Sequence, residues 1–135
     1  MRRAAAVILT GLLLLGLTGC ISPFQNACPA IGWLNAVTVD TSAIPGVSAV
    51  QFCVKGECSP APGSETDDDG SLFWVNAEEG GWVLSLDMSA PEVITLRLFD
   101  ANNVLIRESE ESISWTHSDD PCGGPSTAEP LILEP

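Results

Sequence analysis

Residues 82–107, WVLSLDMSAPEVITLRLFDANNVLIR, decide the fold. Trp82, Leu84, Leu86 and Met88 alternate with Val83, Ser85 and Asp87, and Ile94, Leu96 and Leu98 alternate with Thr95, Arg97 and Phe99. Successive side chains of an extended chain point to opposite faces, so this pattern lays one apolar face on a core. A helix would place its apolar residues three or four positions apart. Pro91 restarts the chain between the two runs. Asp100-Ala101-Asn102-Asn103 then supplies residues tolerant of positive φ for a hairpin, and Val104 and Ile106 return opposite Arg107.

The same period extends in both directions. Val37 and Val39 share a face, with Thr38 and Asp40 on the other. Pro45-Gly46 marks a turn. Val50, Phe52 and Val54 share a face, which puts Cys53 opposite them. A Pro/Gly/Ser loop over 59–64 runs into an acidic stretch ending at Gly70. Residues 72–75 form a short apolar strand, and Glu78-Glu79-Gly80-Gly81 a turn. Ile113 and Trp115 share a face, residues 121–125 form a Gly/Pro loop holding Cys122, and 131–133 close the chain as a strand. The pattern predicts an all-β fold, an antiparallel immunoglobulin-like β-sandwich of about seven to eight strands, with a small β-barrel as the alternative.

The chain has 135 residues and 18 acidic side chains, all of them beyond Gly19, where only Lys55, Arg97 and Arg107 oppose them. So acidic a surface argues against a nucleic-acid partner and against electrostatic docking on anionic lipid. It also keeps a domain soluble.

Five cysteines are present. Without Cys20, the remaining Cys28, Cys53, Cys58 and Cys122 allow three pairings. A disulfide framework is the default for an even number in an exported chain. Cys53 and Cys58 flank the turn-like Val54-Lys55-Gly56-Glu57, so a local bridge needs little chain travel, and Cys28–Cys122 follows by elimination. Zinc on these thiolates is the rival, and would want tight pairs and a reducing compartment.

The amino terminus, MRRAAAVILTGLLLLGLTGC, has Arg2 and Arg3 before an uncharged apolar run over 4–17. The run is shorter than the roughly 20 residues of a membrane-spanning helix. Its layout is that of a secretory signal peptide. Leu17-Thr18-Gly19-Cys20 resembles the lipobox of bacterial lipoproteins. The resemblance implies cleavage before Cys20, diacylglycerol on its thiol, and a protein held by lipid at the extracytoplasmic face of the cell membrane. Ile21, rather than Asp, follows the cysteine, so the usual inner-membrane retention signal is missing. The expected division is a signal peptide over 1–19, a lipidated tether over 20–27 and the sandwich over 28–135.

Five features occur in a fixed order: the lipobox, Cys28-Pro29, the segment 52–58 (FCVKGEC), the hairpin over 98–105, and Pro121-Cys122-Gly123-Gly124-Pro125 before a final apolar strand. That order resembles small actinobacterial lipoproteins of unknown function with an immunoglobulin-like domain. Such proteins often carry a further cysteine past the late Cys-Gly-Pro segment, where this chain has Ser126-Thr127.

Four groups of residues invite a chemical role. Glu65, Asp67, Asp69 and Gly70 approximate the start of an EF-hand loop, but its twelfth position falls on Asn76, where a bidentate Glu is needed. Asp67 and Asp69 are thus weak calcium candidates, and a solvated acidic loop is the simpler account. His117, Ser118, Asp119 and Asp120 are adjacent, whereas a hydrolase triad is assembled in space. No Gly-x-Ser-x-Gly elbow occurs and no carboxylate pair is set in apolar surroundings, so no catalytic residue is expected. Trp33, Trp74, Trp82 and Trp115 could stack on sugars, although Trp82 and Trp115 share faces with core residues. Phe73, Phe99 and Leu105 are the candidate patch for an unknown protein partner. The function expected is a non-catalytic structural or binding role, with cation binding at Asp67–Asp69 as the alternative and no cofactor beyond the lipid on Cys20.

Overall fold

In the computed structural model, residues 28–64 and 71–135 are described. Strands β1 (Asn35–Asp40), β2 (Ala49–Val54), β3 (Glu57–Cys58), β4 (Phe73–Glu78), β5 (Gly81–Leu86), β6 (Val93–Phe99) and β7 (Leu105–Ser112) are followed by β8 (Trp115–Thr116), β9 (Thr127–Ala128) and β10 (Leu131–Ile132). One sheet has the order β10-β1-β5-β4, the other β3-β2-β6-β7, and β8 pairs with β9 in a separate ribbon. No helix occurs among the described residues. The two sheets stack face to face rather than closing into a barrel, so the sandwich and not the alternative describes the chain.

The strand order carries the immunoglobulin pattern. Taking β1, β2 and β3 as strands B, C and C′, and β4 to β7 as D to G, gives the B-E-D and C′-C-F-G sheets of that architecture. The place beside B is taken by β10, which runs parallel to β1 with Val39 opposite Leu131. The chain therefore fills from its end the edge that strand A usually fills from the start.

Alternation builds the core as expected. Val37, Val39, Leu84 and Leu86 from one sheet face Val50, Phe52, Ile94, Leu96 and Leu98 from the other, all buried. Phe52 and Phe73 meet across the gap with ring centroids 5.3 Å apart. Leu133 is buried beyond β10, its N–H donating to the Asp40 carbonyl, and the Arg107 side chain donates to the Glu134 carbonyl. The carboxyl-terminal tail thereby closes the open side between the sheets.

Both disulfides have formed, Cys28–Cys122 and Cys53–Cys58. Cys53 lies opposite Cys58 in the β2–β3 hairpin. Its two-residue turn has positive φ at Lys55 (50°) and Gly56 (92°), the type I′ pattern that suits strand twist. At the other end, a side chain on Gly81 would run into the Val39 carbonyl, so the tight β4–β5 turn requires glycine there.

Four local expectations are corrected. The strand over 82–88 stops at Leu86, because the Asp87 carboxylate accepts the Ser89 N–H and turns the chain, leaving Met88 exposed. Val104 and Ile106 do not face the core. Arg107 pairs with Leu98 on the inward face, and an irregularity between Leu98 and Phe99 shifts the register. Strand β7 continues through Glu108, Glu110 and Glu111 because β6 offers partners along its whole length. Charge on a long edge strand also discourages pairing with another chain. Finally, Ile113 is buried outside a strand, and the short β8 pairs with β9, for which the sequence carries no alternation.

Candidate functional site

The two ends of the sandwich differ in what they carry. Residues 28–34 precede β1 and lie against the 87–91 turn, with the Asn35 N–H donating to the Asp87 carbonyl. The Cys28–Cys122 bridge ties this entry segment to the loop over 118–125, and Trp33 lies against Gly123. Asn35 is almost fully buried here. Its Nδ2 donates to the Ser89 carbonyl at 2.8 Å and its Oδ1 accepts the Ser126 N–H at 2.7 Å. One side chain thus clamps three segments. Asn35→Ala strands both partners and is expected to lower stability by about 2–3 kcal/mol, measurable by urea unfolding.

A cleft of about 710 Å³ opens at the same end, lined by Val54, Lys55, Leu72, Phe73, Pro91 and Val93 among others. Glu57, Asp87 and Glu92 line it as well as Lys55, so apolar walls alternate with charge.

The β6–β7 hairpin marks the opposite end. Phe99 lies opposite Leu105, and Val104, Leu105 and Ile106 are exposed. The Asp100 carboxylate accepts the N–H groups of Val104 (2.9 Å) and Asn102 (2.8 Å), while Asn103 takes φ 60°. Those bonds hold the Asp100 carboxyl below its ordinary pKa, and the Ser42 N–H does the same for Asp40. A carboxylate so depressed adds stability above its ordinary range and loses it as pH falls through the lower native value. The melting temperature is therefore expected to drop as pH falls below the ordinary carboxylate value of 3.8, and Asp100→Asn to flatten that fall.

Of the proposed patch, Phe99 and Leu105 are neighbours, but Phe73 is not part of it. Phe73 pairs with Leu86, points inward against Phe52 and is 8% exposed, whereas Trp74 is 37% exposed on the outer face. Adjacent aromatics must take opposite faces, and the inward place goes to the one that meets Phe52. Val104 and Ile106, expected only to lie opposite Arg107, are exposed beside the patch. Their run Val104-Leu105-Ile106 has no alternation, which is the signal that a face assignment there was unsafe.

The tryptophans form no common platform. Trp82 donates to Thr41 Oγ1 at one end and Trp115 to the Pro91 carbonyl at the other, both packing on the core. The neighbours of His117 do not form a relay with it. Its Nδ1 lies 2.9 Å from Ser126 Oγ, on a buried serine, while Ser118 and the Asp120 carboxylate hold loop N–H groups. Cys20, the 1–19 and 20–27 segments, Asp67 and Asp69 lie outside the described residues. Among the described residues no group of three or more His, Cys, Asp or Glu is placed to hold a metal ion.

No family model, curated protein or solved structure matches this chain significantly.

Proposed function

We propose that this chain is a lipid-anchored extracytoplasmic binding module without catalysis. The observation that carries the proposal is the apolar run over 4–17 ending in Leu17-Thr18-Gly19-Cys20, eight positions before the first bridged cysteine. Two disulfides support an oxidising compartment. Cleavage before Cys20 leaves a tether that joins the domain at its Cys28 end. The β6–β7 hairpin then points away from the membrane, with the exposed Val104, Leu105 and Ile106 and the half-buried Phe99 beside them available to a protein partner.

Anchoring by acyl chains contributes about 0.8 kcal/mol per buried CH₂, and more than one chain makes it durable. Cys20→Ala is therefore expected to remove the protein from the washed membrane fraction. Retention of the variant there, after a carbonate wash, would refute the lipid anchor. The partner surface has its own test. Leu105→Asp with Ile106→Asp, both exposed, is expected to leave the unfolding free energy within about 1 kcal/mol of the wild-type value and to abolish capture of the partner that wild-type protein retains from solubilised membranes.

A further inference from the structure

The cleft end carries an apolar rim that the core does not use. Ile31, Leu34, Leu72, Met88 and Val93 are large apolar side chains between 49% (Val93) and 69% (Ile31) exposed. All five lie at or near strand ends on this side of the sandwich. Met88 Sδ lies beside Gly32, Asn35 binds both Asp87 and Ser89, and Leu72 and Val93 line the same cleft. These residues surround the point where the chain enters the domain.

We infer that this rim is a lipid-docking surface that seats the domain directly on the bilayer carrying its anchor. The inference rests on the lipid-anchor proposal. Residues 21–27 separate Cys20 from Cys28, and seven residues span at most about 25 Å. So short a tether holds the Cys28 end toward the membrane at high effective concentration, where weak apolar insertion suffices. Each side chain that enters the interface gains from removal of apolar surface from water. Among the described residues at this end Lys55 is the one cation, against Glu57, Asp87, Glu92, Asp119 and Asp120, so the surface suits zwitterionic lipid and is repelled by anionic headgroups. Docking also fixes orientation: the Phe99–Leu105 hairpin is then held upright rather than free to tumble on its tether.

The test uses the full lipidated protein in phosphatidylcholine vesicles doped with a carbene-generating phosphatidylcholine, with crosslinks mapped by peptide mass spectrometry. The expected result is lipid attached within 31–34, 72 and 88–93 and absent from 104–106. In the triple variant Ile31→Ser, Leu34→Ser, Met88→Ser those crosslinks are expected to fall about tenfold or more, with the melting curve retained. Replacing half the lipid by phosphatidylglycerol is expected to reduce them as well. Crosslinks confined to 20–27, on protein whose Cys20 carries diacylglycerol, overturn the docking surface and leave the anchor standing. Rim crosslinks undiminished in the triple variant overturn it too. Protein whose Cys20 carries no lipid overturns both proposals.

Discussion

Replacing Cys28 and Cys122 together by serine is expected to cost about 4–5 kcal/mol, and replacing Cys53 and Cys58 together only about 2. The difference comes from loop length. The first bridge closes 94 positions and the second 5. A crosslink restricts the unfolded chain more when the loop it closes is longer, and the unfolded state is where most of the effect arises. The long bridge also holds residues 28–34, which have few other ties, against the 118–125 loop. Urea unfolding of both double variants measures the two costs. Against a total stability of about 5–15 kcal/mol, loss of the long bridge is a large fraction. Equal costs for the two variants would contradict the loop-length account.

Phe52→Ala is the second large effect, expected to cost about 3–5 kcal/mol. Phe52 is fully buried at the centre of the sandwich and meets Phe73 across the sheets at 5.3 Å. The rings are tilted by 46°, a geometry in which aromatic pairs attract beyond their buried area. Phe52→Leu keeps most of the volume, and is expected to cost about 1–2 kcal/mol. A double-mutant cycle with Phe73→Leu is expected to show coupling of about 0.5–1.5 kcal/mol. Additive single costs would mean that the two rings do not hold the sheets together as the packing indicates.

Much of this fold was legible because one face of each central strand is apolar and the other is not. Leu84 and Leu86, or Ile94, Leu96 and Leu98, have only one face on which to be buried. The pairing of the cysteines was legible for a related reason: Cys53 and Cys58 flank a turn too short to permit anything but proximity. Legibility ended where both faces look alike. Phe73 and Trp74 are equivalent by composition, and only the position of Phe52 in the opposing sheet separates them. Val104, Leu105 and Ile106 are apolar without a gap, so an irregularity next to Phe99 decides which of them faces water. The extent of strand β7 past Arg107 was not legible, because glutamates disfavour strands locally while β6 supplies the hydrogen bonds that override the preference. Strand β9 is two residues long, and nothing of that length carries a period.

The candidate surfaces followed the same division. Leu105 and Phe99 were legible as patch residues, and the structure makes them partners across the hairpin. The rim of Ile31, Leu34 and Met88 was not: Ile31 and Leu34 lie in a segment without a period, and Met88 reads as the last apolar residue of the 82–88 alternation although the strand ends at Leu86. Their exposure follows from where the strands stop: β1 begins at Asn35 and β5 ends at Leu86. Asn35 was invisible for the opposite reason. A buried asparagine at a strand start is identified only by the two segments it clamps.

The central claim is that fatty chains on Cys20 hold an oxidised all-β domain at a membrane surface. Intact-mass analysis of the protein extracted from its own membranes, with and without reduction and alkylation, tests it most directly. The account predicts a chain beginning at Cys20, heavier than its sequence by a diacylglyceryl group, whose four remaining cysteines are alkylated only after reduction. A chain that retains residues 1–19, or one that is alkylated at four thiols without reduction, would contradict it.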